Sequence, residues 1–242
     1  SKSLCKGLRD YTPISNSICV LVNESDGHTE QLYGIGYGGM IITNGHLFKR
    51  NNGRLTMKTN HGEFLINSTP TLQIHQVHER DLIVFKIPKD MPPFPRRLRF
   101  RQPCSKDLVC LVGADYQTKC IRPTVSGTSS TAQKDSSHFW KHWISTKRGQ
   151  CGLPLVSLND GQIVGIHSLT STDDVVNYFV ACPSNFHEAY LDHIEALNWE
   201  KNWRYNTDLV NWGSLTLLKS QPTNLFKTCK LVSDISESVQ EQ

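Results

Sequence analysis

The segment Gly149-Gln150-Cys151-Gly152-Leu153-Pro154-Leu155 places a thiol between two glycines. A nucleophile flanked in this way suits a tight turn where the backbone comes close to a substrate, because glycine adopts dihedrals that other residues avoid. Such a turn can also aim the backbone N–H groups of Gly149 and Cys151 at a developing oxyanion, where one donor is worth roughly 3–4 kcal/mol of transition-state stabilisation. Upstream, Thr43-Asn44-Gly45-His46 closes the apolar run Met40–Thr43 and sets an imidazole at a strand-to-turn edge. Arg80-Asp81-Leu82-Ile83-Val84 sets a carboxylate at the mouth of an apolar strand. A carboxylate there needs a partner. An imidazole N–H supplies one, and the bond fixes the tautomer that leaves the other ring nitrogen free to take a thiol proton. Singly, a cysteine in a turn, a surface histidine and an aspartate are commonplace. As an ordered set, His46, Asp81 and Cys151 form a candidate triad, and the order His before Cys disfavours a papain-like arrangement.

The elements that must position these groups read as strands. Hydrophobic residues make up 38% of the 242-residue chain and charged residues 20%, enough for a packed core and against wholesale disorder. Short apolar or alternating runs (SICVLVN, QLYGIGYGG, MIITNG, RLTMKTNHGEFLIN, DLIVFKIP, LRFRQ, LVCLVGA, GLPLVSLNDGQIVGIHSL, VVNYFVAC) alternate with Gly, Asn, Asp and Pro, as in the Asp-Gly of ESDGH. This spacing favours an all-β barrel or sandwich over a parallel α/β sheet. A helix with a half-buried face is expected over PSNFHEAYLDHIEALNWEKNW, capped by Ser184 or Asn185, and a short one around Ser3–Gly7. GADYQTKCIRP, about residues 113–123, reads as a linker. The expected division is therefore a first β unit over 1–115 with His46 and Asp81, a second over 116–220 with Cys151, and an extended tail over 221–242. No apolar run reaches the ~18 residues of a membrane helix.

Eight cysteines are scattered without a C-x-x-C pair, which argues against a zinc ribbon or a dithiol redox site. Several sit in apolar runs, where a free Cys acts as a small buried hydrophobe, and a reduced, intracellular protein is expected. His138 and His142 stand four apart, but no third ligand is near and Phe139-Trp140 between them suggests packing, so no metal and no cofactor is expected. Arg96-Arg97-Leu98-Arg99-Phe100-Arg101 would, as a strand, present three cations on one face and could meet phosphates. A non-catalytic module binding RNA or protein is accordingly the alternative to an enzyme. A hydroxyl nucleophile is disfavoured, since only GxCG occupies the glycine-flanked position.

The strings GxCGxPL, TNxHLF and RDLIV, with LRDYTPIS, SDGHTEQLYGIGYG, PKDMPPFPRRLRFRQP, FWKHWISTKRGQCG and IVGIHSLTS, resemble the nuclear-inclusion-a proteases of potyviruses across nearly the whole chain. The resemblance implies a chymotrypsin-like double antiparallel β-barrel in which Cys replaces the nucleophilic Ser, a role in cutting a viral polyprotein, weak RNA binding, and residence in host cytoplasm and nucleus. It implies cleavage after Gln and before a small residue. His167 and Thr146 would then be the hydrogen-bond donors to that Gln in the S1 pocket, the pocket for P1, the residue whose carbonyl is attacked. Upstream subsites map by the same resemblance onto Phe139, Leu169, Asn177 and Tyr178, with Val210 and Trp212 on a later strand. Leu169–Ser171 would receive the substrate as an added β-strand. Arg148 stands where relatives usually carry Asp, and an Arg has no acceptor for the Gln amide. Leu169, Ser171 and Asp174 also differ from the family's type member. Ser1 and Val239-Gln240-Glu241-Gln242 look like products of Gln|Ser self-cleavage, with Val-x-x-Gln as the expected site and Val239 as its apolar P4 residue.

Overall fold

Turn chemistry and alternation build the first sheet. The computed structural model describes residues 9–115, 122–218 and 238–242. Strands β1 (Ile18–Ser25) and β2 (His28–Tyr37) pair in a hairpin that closes at Ser25 opposite His28. The two residues left over, Asp26 and Gly27, both have positive φ, 52° and 75°. A two-residue turn of that hand matches the twist of its flanking strands, and Asp-Gly meets the requirement at low cost. With β3 (Met40–Thr43), β4 (Gly53–Thr59), β5 (Gly62–Ser68), β6 (Ile74–Gln76) and β7 (Ile83–Lys86), the sheet runs β5-β4-β1-β2-β3-β7-β6, all antiparallel.

The second sheet contains β8 (Leu108–Asp115), β9 (Arg122–Ser130), β10 (Ala132–Gln133), β11 (Phe139–His142), β12 (Pro154–Ser157), β13 (Ile163–Ser171) and β14 (Asn177–Ala181), in the order β10-β11-β14-β13-β12-β8-β9. β13 is its spine, with all nine residues buried. β14 covers one of its edges. On the other edge β12 pairs only with residues 163–166. β12 is short because Pro154, which has no N–H to give a ladder, begins it directly after the Cys151 turn. The same edge of β13, from Leu169 to Ser171, is taken instead by β16 (Ser238–Glu241), which runs antiparallel to it and parallel to β15 (Thr216–Leu217). One apolar cluster joins the two sheets, from Leu21, Ile41 and Phe85 to Phe139, Leu155 and Phe179.

Several expectations need correction. Residues 113–115 and 122–123 are not linker but the facing ends of the β8–β9 hairpin, with Asp115 opposite Arg122. The switch from first to second sheet thus falls between Lys86 and Leu108, so an expected boundary after 115 lies inside that hairpin. The late segment is not one helix. It makes a single wide turn at His187–Leu191 and a 3-10 turn at Ile194–Ala196, because tertiary partners claim the groups a longer helix would use. Glu200 pairs with Ile74 through both backbone groups, and Asn202 N donates to Pro70 O at 2.7 Å. Arg96–Arg101 is not a strand of the sheet, since only Phe100 makes a bridge, to Ile163. Arg96, Arg97 and Arg99 are exposed, but Arg101 turns toward Asp107 and Asp160. The proposed Ser3–Gly7 helix and most of the tail lie outside the described residues. Among the described cysteines, Cys19, Cys104, Cys110, Cys151 and Cys182 are free.

Asp107 anchors the start of the second sheet. It is buried, and its oxygens accept from Arg101 at 2.6 and 2.9 Å, from Ser157 Oγ at 2.7 Å and from Cys104 N at 2.7 Å. Burial alone would raise its pKa, but the guanidinium and the other donors hold the carboxyl well below the usual carboxylate range. Asp107→Ala is expected to lower unfolding free energy by about 2–3 kcal/mol, the scale of a lost charged hydrogen-bond set. Urea denaturation reads this directly, and a midpoint equal to that of the parent would contradict the anchoring role.

Candidate active site

Three turns bring the sequence-derived triad together. His46 sits in the 3-10 turn Gly45–Phe48 that follows β3, and its side chain is fully buried. Asp81 lies in the tight connection between β6 and β7. That connection closes through Val77 N donating to Leu82 O, has Glu79 at φ 54°, and is tied to β14 by Arg80 Nη1 donating to Ala181 O at 2.7 Å. Asp81 is itself fully buried, so its charge must be met in full. One oxygen accepts from His46 N at 3.0 Å. The other accepts from His46 Nδ1 at 2.7 Å and from Ser168 Oγ at 2.7 Å. Asn44 Nδ2 adds a long contact at 3.5 Å. With Nδ1 committed to Asp81, the imidazole turns Nε2 toward the cleft as the atom left to exchange a proton, and that atom is buried without a hydrogen-bond partner.

Cys151 occupies the glycine turn. Gly149 and Gly152 have φ of 92° and 89°, which side chains rarely adopt. A Cβ on Gly152 would lie 1.8 Å from the carbonyl oxygen of Tyr33 on β2, so the glycine also permits close contact between the sheets. Tyr33 N in turn donates to Cys151 O at 2.8 Å, and Gly152 N donates to His167 O at 2.9 Å. The Cys151 thiol is buried and donates to Ser168 O at 3.1 Å. Burial raises its pKa, and the His46 charge is the main influence drawing it back down. For His46, burial disfavours the charged ring, yet Asp81, Glu241 and Cys151 together hold its pKa well above the ordinary value. Such a pair can form an imidazolium and a thiolate by moving one proton.

The groove beside this centre holds residues 238–242. Val239 faces Ser171, Gln240 faces Thr170 and Glu241 faces Leu169 in the β13–β16 ladder. Thr172 N donates to Ser238 O, and Gln242 N lies 3.4 Å from Ser168 O. Val239 is fully buried in the cluster that includes Phe139, Leu169, Tyr178 and Val210, while Gln240 is exposed. Gln242 Oε1 accepts from His167 Nε2 at 2.6 Å and from Thr146 Oγ1 at 2.7 Å. Asn177 is buried, donates to Ile144 O and holds its Oδ1 3.0 Å from Thr146 Oγ1, whose single proton goes to the closer Gln242 oxygen. The main-chain oxygen of Gln242 accepts from Gly149 N at 2.9 Å, so one of the two anticipated oxyanion donors meets it.

Other anticipated residues are placed differently. Arg148 is exposed, and no hydrogen bond or ion pair found among the described residues joins it to Gln242. Val210 and Trp212 lie in the loop after the Thr207–Leu209 turn, not on a strand. The loop is held because the Trp212 ring stacks on Phe139 at 5.4 Å and its Nε1 donates to Thr207 O.

Two neighbours of the site carried no signal in the sequence. Ser168 reaches Asp81 across 87 positions of the chain. His142, on β11, stands 3.1 Å from His167 Nδ1 through its Nε2. His142 Nδ1 accepts from Ile144 N, so its proton is on Nε2 and is donated to His167. His167 therefore carries its own proton on Nε2, facing the Gln242 oxygen. Burial pushes His167 down to about 4 and His142 well below the ordinary value, so the S1 wall is neutral at working pH.

The signs of these shifts fix a pH dependence. Between about pH 6.5 and 4 the unfolded chain protonates histidines that the folded chain keeps neutral at 142 and 167, so stability falls as pH drops through that window. His46 has the opposite sign: its stabilisation is full below about pH 6.5 and is lost as pH rises through its elevated folded value. Melting temperature against pH is expected to peak near neutrality and decline on both sides. A flat profile from about pH 4.5 to 6.5 would contradict the neutral histidine pair.

A model of peptidase family C4 matches residues 1–233. The chain is 52% identical over 238 residues, 98% of its length, to a genome polyprotein of turnip mosaic virus (strain Japanese) and spans about 8% of that relative's length. A crystal structure of a mutant tobacco etch virus protease superposes with a TM-score of 0.87 at 48% identity, covering 98% of this chain and 99% of the other. The tobacco vein mottling virus protease superposes with a TM-score of 0.85 at 53% identity, covering 90% of this chain and 100% of the other.

Proposed function

The chain belongs to peptidase family C4, a cysteine endopeptidase of chymotrypsin-like fold, and on that footing we propose that it cuts a viral polyprotein after Gln and before a small residue, at sites approximated by Val-x-x-Gln. The observation that carries this reading is the seat of residues 239–242: an added strand on β13, with a Gln side chain on His167 and Thr146 and its main-chain oxygen on Gly149 N. A substrate entering the same seat presents its P1 carbonyl to the nucleophile turn.

In this mechanism His46 Nε2 takes the Cys151 proton, and the sulfur attacks the P1 carbonyl carbon. Gly149 N–H, with Cys151 N–H, meets the oxyanion. Collapse expels the amine, protonated by His46, and leaves a thioester that water hydrolyses with His46 again as base. Asp81 keeps the ring in the productive tautomer and stabilises its cation.

S1 selectivity follows from the neutral His167. Both donors meet one oxygen, so a Glu would be offered the same two hydrogen bonds but no counter-charge, and its carboxylate would be desolvated unpaired. The same seat supports release of the chain from its neighbours by self-cleavage. A second reading, weak and salt-sensitive contact with RNA phosphates, is favoured only by the exposed Arg96, Arg97 and Arg99.

A peptide Ser-Val-Gln-Glu-Gln|Ser is expected to be cut at the Gln–Ser bond, and thiol alkylation or Cys151→Ala should abolish cleavage. Replacing P1 Gln by Glu should lower kcat/KM by about 100-fold or more. Arg148→Asp should widen that gap. An unchanged Gln:Glu ratio would rule out a charge effect of Arg148, and cleavage by Cys151→Ala would sink the enzyme reading.

A further inference from the structure

The residue one step upstream of the S1 Gln carries a charge that the triad meets only in part, through His46. The Glu241 side chain is only 6% exposed, although a buried carboxylate is costly unless it is paired. It lies on the side of the imidazole where a carboxylate already stands: Asp81 Oδ2 is 2.7 Å from His46 Nδ1 and Glu241 Oε2 is 3.7 Å from the same atom. The two carboxylates share one ring and repel each other, so a second cation beside Glu241 strengthens its hold.

Lys49 is that cation. Its Nζ stands 2.5 Å from Glu241 Oε2, and the residue directly follows the turn that carries His46. Tyr205 closes the other side. Its hydroxyl is 3.4 Å from Glu241 Oε1, its ring meets His46 edge-on at 6.3 Å, and its N–H donates to Phe48 O at 3.0 Å. The position is therefore lined by an ammonium and a phenol, both hydrogen-bond donors, beside the catalytic ring. An apolar P2 side chain would leave the phenol without this acceptor and the ammonium paired with water alone.

We propose that Lys49, with Tyr205, makes the S2 subsite select an acidic P2 side chain. This rests on the reading that residues 239–242 occupy the substrate seat. Glu is favoured over the isosteric Gln because only the carboxylate pairs with the ammonium. Lys49 is 44% exposed, so the pair lies between a surface salt bridge and a buried one in strength, and the preference is correspondingly moderate.

The test compares kcat/KM for three peptides sharing P4 Val and P1 Gln, with Glu, Gln or Lys at P2, on the parent enzyme, Lys49→Gln and Lys49→Glu. The parent should prefer Glu over Gln by about tenfold. Lys49→Gln should erase most of that preference, and Lys49→Glu should invert it toward the Lys peptide, a rescue that simple damage to the fold cannot produce. Equal cleavage of the Glu and Gln peptides by the parent, or a ratio unmoved in Lys49→Glu, would overturn the proposal while leaving the endopeptidase reading intact. Failure of the parent to cut any of the three would overturn the substrate seat itself, and the proposal with it.

Discussion

A carboxylate with no access to water organises this molecule. Asp81 has no surface to turn toward, so it must collect donors from the elements around it. It finds them on both sides of the groove: the backbone and ring of His46 from the first sheet, and the hydroxyl of Ser168 from β13 of the second. Each donor fixes an atom the chemistry uses. The ring bond sets the tautomer, the backbone bond sets the His46 turn, and the Ser168 bond locks the part of β13 whose carbonyl receives the Cys151 thiol. Satisfying one buried charge thus assembles the proton acceptor, the nucleophile and the substrate strand around one point.

The S1 wall shows the complementary strategy, with charge excluded. A backbone N–H at Ile144 dictates the tautomer of His142, which dictates that of His167. The chain of donors is directional, and burial keeps both rings neutral. A pocket that must recognise an amide and refuse a carboxylate gains from holding no cation of its own, which the exposed position of Arg148 preserves.

What the sequence made legible was local. The Asp-Gly hairpin, the apolar run ending at Thr43, the carboxylate before Ile83 and the thiol between glycines each depend on neighbours along the chain, and each sits in the element its pattern suggests. What escaped depends on partners far away in sequence. No periodicity reveals that Ser168 serves Asp81, that His142 serves His167, or that Arg101 leaves its basic run to hold Asp107 and Asp160. The late segment misled for the same reason. Its spacing is helical, but the backbone bonds of Glu200 to Ile74 and of Asn202 to Pro70 outweigh a propensity worth only tenths of a kcal/mol per residue.

The brevity of β12 has a consequence for what the groove can measure. By starting only at Pro154 it bares the stretch of β13 around residues 169–171, and a chain laid there advances about 3.4 Å per residue with alternate side chains turned in. Val239 is held inside, Gln240 points out, Glu241 points in again, and past the end of the ladder Gln242 breaks the alternation by turning into S1 as well. The ladder therefore acts as a ruler with a reading frame. Altering an outward residue leaves the frame intact, whereas inserting or deleting one residue between the apolar anchor and the glutamine would turn the inward set out toward water and put the wrong bond against the sulfur.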